Sequence, residues 1–247
     1  MASNTDIVLY DIYSREPCRA WSPNTWKIRL MLNYKSLPYT THWLEYPEIA
    51  PFLSQLVLPN EPPANAPYTV PAARFPDGGY LMNSVAISQR LNKDYPDPPL
   101  HLDTPYHKKV IELLSKFTEE LEAVYIPAVP RELLNPPSAE YFYRTRQEMV
   151  GAPLPDFEKS DKGGENAWKA AEPHIKELAG LYRENSGGPF VLGKDVSYVD
   201  FVLVAWLKLF DCIGKLEDFK RWGGEELLNL YDASREWLER EERQLLN

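Results

Sequence analysis

The order of strand, helix and turn signals in the first ninety or so residues restricts the fold of this chain more than any other feature. An apolar, β-branched segment, Ile7–Tyr13, predicts a buried strand. Ser22 and Pro23 then open a helix, because serine is a good N-cap and proline suits the first helical position. Tyr39–Leu44 predicts a second strand, so the segment forms a β-α-β unit with parallel strands and a right-handed crossover.

A second set of signals completes this N-terminal pattern. The proline-rich stretch 47–71 is predicted to be loop with one short helix. Pro71–Phe75 and Tyr80–Asn83 flank the tight turn Pro76–Gly79, which predicts an antiparallel pair. Ser84 is predicted to cap the helix that follows. The order β-α-β, loop, β-β-α is that of a thioredoxin-like domain.

The rest of the chain has a helical pattern. Tyr95–Pro105 holds too many prolines for a helix, so it is interpreted as a linker between residues 1–94 and 106–247. Apolar residues on one face predict an amphipathic helix, whereas Tyr125–Pro137 is expected to be broken by proline. Asp200–Phe210 predicts a buried central helix and Glu225–Leu246 a final charged one. The predicted fold class is therefore α+β: a thioredoxin-like domain followed by an all-α domain.

Charge and composition exclude several classes of function. The chain has 27 basic and 36 acidic residues, so a nucleic acid or anionic membrane is not expected as its main partner. No apolar run approaches the roughly 20 residues of a membrane span, and no secretory signal is visible, which favours the cytoplasm. Two cysteines, Cys18 and Cys212, are too few for a disulfide scaffold. The four histidines show no ligand spacing, so no metal is predicted.

Four local segments, in the right order along nearly the whole chain, resemble the cytosolic glutathione transferases. They are the helix start Ser22–Leu30 with the turn Lys35–Tyr39, the dipeptide Val70–Pro71, the segment Leu81–Leu91, and the segment Gly193–Asp200. The Ser-Pro-x-x-Trp helix start and the proline-rich insert look most like fungal serine-type transferases related to bacterial β-etherases, in particular the fuscoferin class. In this resemblance Ser197 and Asp200 form the capping box of the central helix.

The resemblance implies that Ser22 is the catalytic residue. A hydroxyl donor at the positive end of a helix favours the thiolate of glutathione, whose thiol has a pKa near 8.5. Ser22 is also explained by helix capping alone, and both roles can hold together. Asn24, in the same turn, is a candidate second donor to the thiolate.

Further residues are assigned to glutathione by resemblance. Val70 would pair with the cysteinyl part through its backbone, which requires a cis bond before Pro71. Ser84 would bind the γ-glutamyl carboxylate at a helix start. Asn83 stands where the family usually has an acidic residue, so one charge is lost there. The group for the glycyl carboxylate is expected near residues 54–60, where only Gln55 is suitable.

A hydrophobic substrate is expected between the two domains, and aromatic content favours a phenolic ring. The candidate walls are Trp21, Phe117, Tyr125, Tyr141 and Tyr143, with Arg144 or Arg146 for an acidic group. Aromatic residues at helical spacing are equally explained as core. Cys18 precedes Ser22 by four residues, and a redox role there is the less favoured interpretation.

Two hypotheses for function remain open. In the first, the chain conjugates glutathione, its co-substrate, to aromatic electrophiles in a detoxification role. In the second, it is a ligandin-type carrier of aromatic or polyphenolic compounds with little or no catalysis. The resemblance implies a homodimer in both cases.

Overall fold

The computed structural model describes residues 6–62, 66–185 and 187–242. The four strands of the N-terminal domain form one sheet in the order β2-β1-β3-β4. The strands are β1 (Ile7–Ile12), β2 (Tyr39–Leu44), β3 (Ala72–Arg74) and β4 (Tyr80–Met82). β1 and β2 are parallel, whereas β3 pairs antiparallel with both β1 and β4. This confirms the predicted parallel pairing of the first two strands, the antiparallel pairing of the last two and the turn between β3 and β4.

Three helices accompany the sheet: α1 (Pro23–Tyr34), α2 (Tyr46–Leu53) and α3 (Ser84–Asp94). A buried ion pair attaches α1 to β1, since the guanidinium of Arg29 lies 3.0 Å from the Asp11 carboxylate and neither side chain is accessible to water. The same guanidinium donates to the Thr41 hydroxyl on β2 at 3.0 Å. Breaking such a pair on one side leaves an uncompensated buried charge, which costs about 3–5 kcal/mol.

The C-terminal domain is helical. Its helices are α4 (His107–Glu120), α5 (Glu122–Ala128), α6 (Pro136–Val150), α7 (Leu154–Glu158), α8 (Gly164–Glu184), α9 (Tyr198–Cys212), α10 (Asp218–Arg221), α11 (Glu225–Ala233) and α12 (Arg235–Leu238). A π-helical turn, Val129–Leu133, follows α5, and a 3₁₀ turn, Glu239–Glu242, follows α12. α9 is the predicted central helix, buried on most of its surface. It packs against α1 and so joins the two domains.

The chain is helical where a proline break was expected after Tyr125. Pro127 lies within α5, and Pro130 lies in the π-helical turn that follows. Proline has no backbone N–H to donate, and the wider π-helical turn changes the hydrogen-bonding pattern at this point. The prolines therefore distort the helix rather than end it.

The predicted final helix, Glu225–Leu246, is interrupted at Ser234. There the chain turns from α11 into α12, and the Ser234 hydroxyl donates to the Leu230 carbonyl at 2.9 Å. The turn brings Trp237 edge-on to Tyr34 and Phe201, with ring centroids 5.3 and 5.4 Å apart. Packing against α1 and α9 therefore overrides the continuous helical pattern, and the last four predicted positions, 243–246, lie outside the described residues. Within the described residues, no helix has the length and apolar character that crossing a membrane requires.

Candidate functional site

A cleft of about 180 Å³ lies where the two domains meet, beside the start of α1. Three of the predicted site residues, Ser22, Asn24 and Val70, line it from the N-terminal domain. Tyr46 at the start of α2 lines it as well, and α6 of the C-terminal domain supplies Tyr141 and Arg146. The fold thus collects side chains from four separate segments.

Ser22 is the N-cap of α1, as predicted, but its hydroxyl does not cap. The residue has extended backbone angles, and its carbonyl accepts from the N–H groups of Thr25 and Trp26 at 3.1 and 2.9 Å. Within the described part of the chain, no hydrogen bond to the Ser22 hydroxyl is formed, although the residue is only 7% exposed. A free donor therefore lines the cleft at the positive end of a helix.

Asn24 lies two residues after Ser22, in the same turn, and is exposed. Its side-chain oxygen accepts from the Lys27 ammonium at 2.9 Å, so the amide nitrogen is the group left to donate. Burial lowers the pKa of Lys27 to about 8. The helix start therefore carries two neutral donors and a readily deprotonated amine.

The bond between Val70 and Pro71 is cis, which confirms the expectation from resemblance. Neither the N–H nor the carbonyl of Val70 takes part in a backbone hydrogen bond among the described residues. Next in the chain, β3 starts at Ala72 and pairs with the sheet. The segment therefore offers an unpaired edge to an extended peptide lying in the cleft.

Asn83, rather than Ser84, is the N-cap of α3, which corrects the sequence prediction. The Asn83 side chain accepts from the Val85 N–H at 2.9 Å, and Ser84 is the first helical residue. Asn83 has φ +83°, a conformation that costs a non-glycine residue about 1–3 kcal/mol and is common at binding sites. An asparagine fits here because its short polar side chain can satisfy the helix start locally.

Ser84 does not line the Ser22 cleft. It lies in a neighbouring groove of about 560 Å³ between α3, α4 and α9, which Lys27 and Tyr198 also line. The Ser84 hydroxyl interacts with the Tyr198 phenol across the domain interface. The two serines that the resemblance assigns to one ligand thus line adjacent clefts, with Lys27 and Asn24 between them.

Tyr46 was not assigned to this site from sequence, whereas Tyr141 and Arg146 were candidates for the wall and for the acidic group of the second substrate. The rings of Tyr46 and Tyr141 stack with centroids 5.5 Å apart, and the Arg146 guanidinium lies 4.7 Å from the centroid of Phe142. Burial raises the pKa of Tyr46 to about 12 despite the opposing charge of Arg146, so its phenol is a hydrogen-bond donor at neutral pH. Among the described residues, no carboxylate lies within 4.0 Å of Arg146. Its charge is thus available to an anion.

A cluster of hydrogen bonds connects the two domains beside the cleft. The Glu45 carboxylate accepts from the Asn135 amide at 2.9 Å and from the Ser138 hydroxyl. The Tyr46 N–H in turn donates to the Ser138 oxygen at 2.8 Å. Glu45 and Ser138 therefore fix the start of α2 against the start of α6, which sets the positions of Tyr46 and Tyr141.

The other predicted aromatic walls do not line this cleft. Phe117 is fully buried and meets Phe219 edge-on at 5.8 Å, so its place is the core of the helical domain. Tyr125 packs edge-on against Trp206 and Phe210 at 5.4 and 6.2 Å, and burial raises its pKa. Trp21 is 5% exposed, and its indole N–H has no partner among the described residues. Tyr143 is half-buried against the core.

None of residues 54–60, where the contact to the glycyl carboxylate was expected, lines the Ser22 cleft. The Gln55 amide donates to the Pro51 carbonyl at 2.9 Å, within its own helical segment. The cation of the cleft comes from Arg146 instead, about ninety residues further along the chain. No cluster of three or more His, Cys, Asp or Glu side chains suited to a metal ion occurs in the described part of the chain.

The cleft can bind a small, extended, anionic ligand. It provides a hydroxyl donor at a helix start, a free peptide edge, a guanidinium with no carboxylate partner among the described residues and a stacked pair of phenols. A thioredoxin-like domain that holds such a cleft against an all-helical domain defines the glutathione-binding transferase class of folds.

Comparison with known proteins identifies the family. The family models for the N-terminal and C-terminal domains of glutathione S-transferase match residues 21–94 and 110–237. The glutathione S-transferase-like protein ustS of Aspergillus flavus is 33% identical, over 93% of this chain and 90% of its own length. The chain therefore belongs to the glutathione S-transferase family.

Similar solved structures support the same family assignment. A glutathione S-transferase of Ceriporiopsis subvermispora, determined in complex with glutathione, has a TM-score of 0.80 at 31% identity and covers 94% of this chain and 97% of its own. Glutathione transferase GSTFuA3 of Phanerochaete chrysosporium has a TM-score of 0.79 at 27% identity, with 94% and 97% coverage.

Proposed function

We propose that this protein is a glutathione transferase that binds reduced glutathione in the Ser22 cleft and conjugates it to aromatic electrophiles. The observation that carries this proposal is the Ser22 hydroxyl, which lies at the start of α1, lines the cleft and has no hydrogen bond within the described chain. The Ceriporiopsis relative that contains glutathione supports the choice of co-substrate.

Ser22 favours the reactive form of the thiol. A free thiol has a pKa near 8.5, so the thiolate is the minority form at neutral pH. A donor to the sulfur and the positive helix end both stabilise the anion, and each pKa unit corresponds to about 1.4 kcal/mol. The thiolate sulfur then forms a bond to the electrophilic carbon of the second substrate, and the leaving group departs with the electron pair of the broken bond.

The backbone of glutathione fits the other groups of the cleft. The cysteinyl part pairs with the free N–H and carbonyl of Val70, as an added antiparallel strand. Arg146 pairs with a carboxylate of the tripeptide, because its guanidinium is the cation lining the cleft and has no acidic neighbour among the described residues. This places the anion contact on the helical domain.

Arg146 offers a direct test of glutathione binding. Replacement of Arg146 by leucine is expected to weaken glutathione binding roughly 10–100-fold, measured by titration calorimetry, because a charge-assisted hydrogen bond is worth about 1.5–3 kcal/mol. Arg144→Leu is the matched control, since Arg144 is exposed on the same helix and stacks on Tyr141 at 5.2 Å. Equal affinities of the two variants would contradict the Arg146 contact.

Ser22 offers the test of catalysis. Ser22→Ala is expected to lower conjugation of glutathione to a halogenated nitroarene roughly 10–100-fold, while glutathione affinity stays within a few-fold. A variant that keeps full turnover would show that the hydroxyl does not activate the thiol.

A carrier function is the second candidate, and the stacked Tyr46 and Tyr141 rings favour it. Two phenol faces beside a guanidinium suit a planar, anionic phenolic ligand. Wild-type protein that binds phenolics tightly yet turns over none of a broad panel of electrophiles would establish the carrier and exclude the enzyme.

A further inference from the structure

The two cysteines of the chain come from different domains and meet at the interface. Cys18 lies in the loop between β1 and α1, and Cys212 is the last residue of α9. The Cys212 thiol donates to the Ala20 carbonyl in the same loop at 3.9 Å, and it is in hydrogen-bond contact with the Cys18 thiol. Both cysteines are half-buried. Neither lines the Ser22 cleft.

Charged groups surround this pair of thiols. The Lys208 ammonium lies one turn before Cys212 on α9 and interacts electrostatically with both thiols. It is only 17% exposed and is held by Asp211 at 3.0 Å. The Tyr231 phenol donates to the same Asp211 carboxylate at 2.9 Å, which ties the end of α9 to α11. A fixed cation therefore lies beside the two sulfur atoms.

The hydrogen bond gives the two thiols different roles. The hydrogen bond with Cys18 and burial raise the pKa of Cys212, so Cys212 retains its proton. The Lys208 ammonium interacts electrostatically with the Cys18 sulfur, and a cation beside a thiol favours its nucleophilic form. Cys18 is therefore the nucleophile of the pair and Cys212 the resolving thiol.

We propose that Cys18 and Cys212 are an oxidation site, which a hydroperoxide converts to a reversible disulfide joining the two domains. This inference is independent of glutathione binding and of Ser22 chemistry. Thiols already in hydrogen-bond contact need little backbone movement to form an S–S bond of about 2.05 Å.

The reaction has two steps. The Cys18 thiolate attacks the outer oxygen of the hydroperoxide, the O–O bond breaks, and the departing alkoxide takes a proton to become an alcohol. The Cys212 sulfur then attacks the sulfenic sulfur of Cys18, and the S–O bond breaks. The departing hydroxide takes the Cys212 proton and leaves as water. In total, two thiols and one hydroperoxide give one disulfide, one alcohol and one water.

The test treats the reduced full-length protein with cumene hydroperoxide and maps its peptides without reduction. The expected product is a monomer in which the Cys18 and Cys212 peptides are linked, and dithiothreitol separates them again. Oxidation that yields sulfinic acids or disulfide-linked dimers instead, with no linked peptide in the monomer, would overturn the proposal.

Two controls show whether the bond forms in the folded protein. The oxidised monomer is expected to unfold at a temperature no lower than the reduced one, because the bond closes a loop of most of the chain. A lower unfolding temperature would place the reaction in unfolded molecules and would also overturn the proposal. Cys212→Ser is expected to accumulate sulfenic acid on Cys18, which a sulfenic-specific probe detects.

The role of Lys208 is tested by rate. Lys208→Met is expected to slow oxidation of Cys18 roughly 3–10-fold. Lys215→Met is the matched control, because Lys215 is 48% exposed and belongs to no contact of the thiol pair. Equal oxidation rates for the two variants would show that the Lys208 charge does not affect the reaction. That result would refute the assignment of Cys18 as the nucleophile that Lys208 activates.

Discussion

Two helices that pack against each other, α1 and α9, each have a serine as their N-cap residue, and the two serines have different surroundings. Ser197 is fully buried, and its hydroxyl and N–H both donate to the Asp200 carboxylate, at 2.7 and 2.8 Å. Asp200 also accepts from the Val191 N–H at 3.0 Å. The hydroxyl of Ser22, by contrast, has no hydrogen bond within the described residues and lines a cleft.

The difference lies in what the first turn of each helix supplies. α9 has Asp200 at its third position, where a carboxylate can close the reciprocal capping box. α1 has no acidic residue in its first turn, and proline occupies its first position. A serine at a helix start thus becomes structural when an acid follows it, and stays available for a ligand when none does. Three comparisons of variants, each by the free energy of unfolding, test this contrast.

The largest effect is expected for Asp200→Ala. Its carboxylate accepts three hydrogen bonds from buried groups, and their loss leaves donors without partners. The free energy of unfolding in urea is expected to fall by about 3–5 kcal/mol. Asp232→Ala is the control, because Asp232 pairs with Arg235 at the surface and should contribute less than about 1 kcal/mol. A loss below about 1 kcal/mol for Asp200→Ala would contradict the claim that the capping box of Ser197 and Asp200 stabilises the protein.

The matched pair Ser197→Ala and Ser22→Ala comes next. Ser197→Ala is expected to lower the free energy of unfolding by about 1–2 kcal/mol, the value of a helix cap. Ser22→Ala should change it by less than about 0.5 kcal/mol, because the hydroxyl makes no capping bond. Urea unfolding of both variants measures the difference. Equal losses would mean that Ser22 caps α1 in solution and that its hydroxyl is not free.

The smallest effect concerns Lys27, which places a positive charge near the positive end of α1. Its pKa falls from 10.5 in the unfolded chain to about 8, so the cost of burying the ammonium is fully present below pH 8. As pH rises from 8 towards 10.5, the unfolded chain holds the proton more tightly than the folded one, and stability increases. Because the side chain is partly exposed, Lys27→Met is expected to be more stable than wild type by only about 1 kcal/mol at pH 7, and the difference should vanish near pH 10.5.

Urea unfolding at several pH values measures this difference, with Lys220→Met as the control. Lys220 is 64% exposed, so its replacement should give the same small change at every pH. A Lys27→Met variant that is less stable than wild type at pH 7 would show that its contact with Asn24 outweighs the burial of its charge.

Much of the fold was predictable because it depends on local rules. The apolar run of β1, the Ser-Pro start of α1 and the glycine turn between β3 and β4 each specify their own conformation. Resemblance added the cis bond before Pro71 and the capping box of α9, and both are present. The cap of α3 was assigned one residue too late, because a non-glycine residue with positive φ, Asn83, is not expected from sequence.

The assembly of the candidate site could not be predicted in this way. Tyr46 was missed, and Arg146, which was a candidate only alongside Arg144, lies a hundred residues further along the chain. Neither has a local signal that relates it to Ser22. They meet because Glu45 bonds to Asn135 and Ser138 across the domain interface. The aromatic positions of the helical domain have the same spacing whether they fill a core, as Phe117 does, or line a cleft, as Tyr141 does.

The sequence by itself determined the order of strands and helices, the two-domain class and the position of Ser22 at a helix start, because each follows from neighbours within one or two turns. Only the tertiary structure decided which groups are free. Ser22 and Ser197 differ through the partners that packing brings to each hydroxyl, Arg146 is available because no described carboxylate reaches it, and Cys18 meets Cys212 because α9 packs beside the loop before α1. Availability for chemistry is a property of long-range contacts, and these depend on how the two domains pack together.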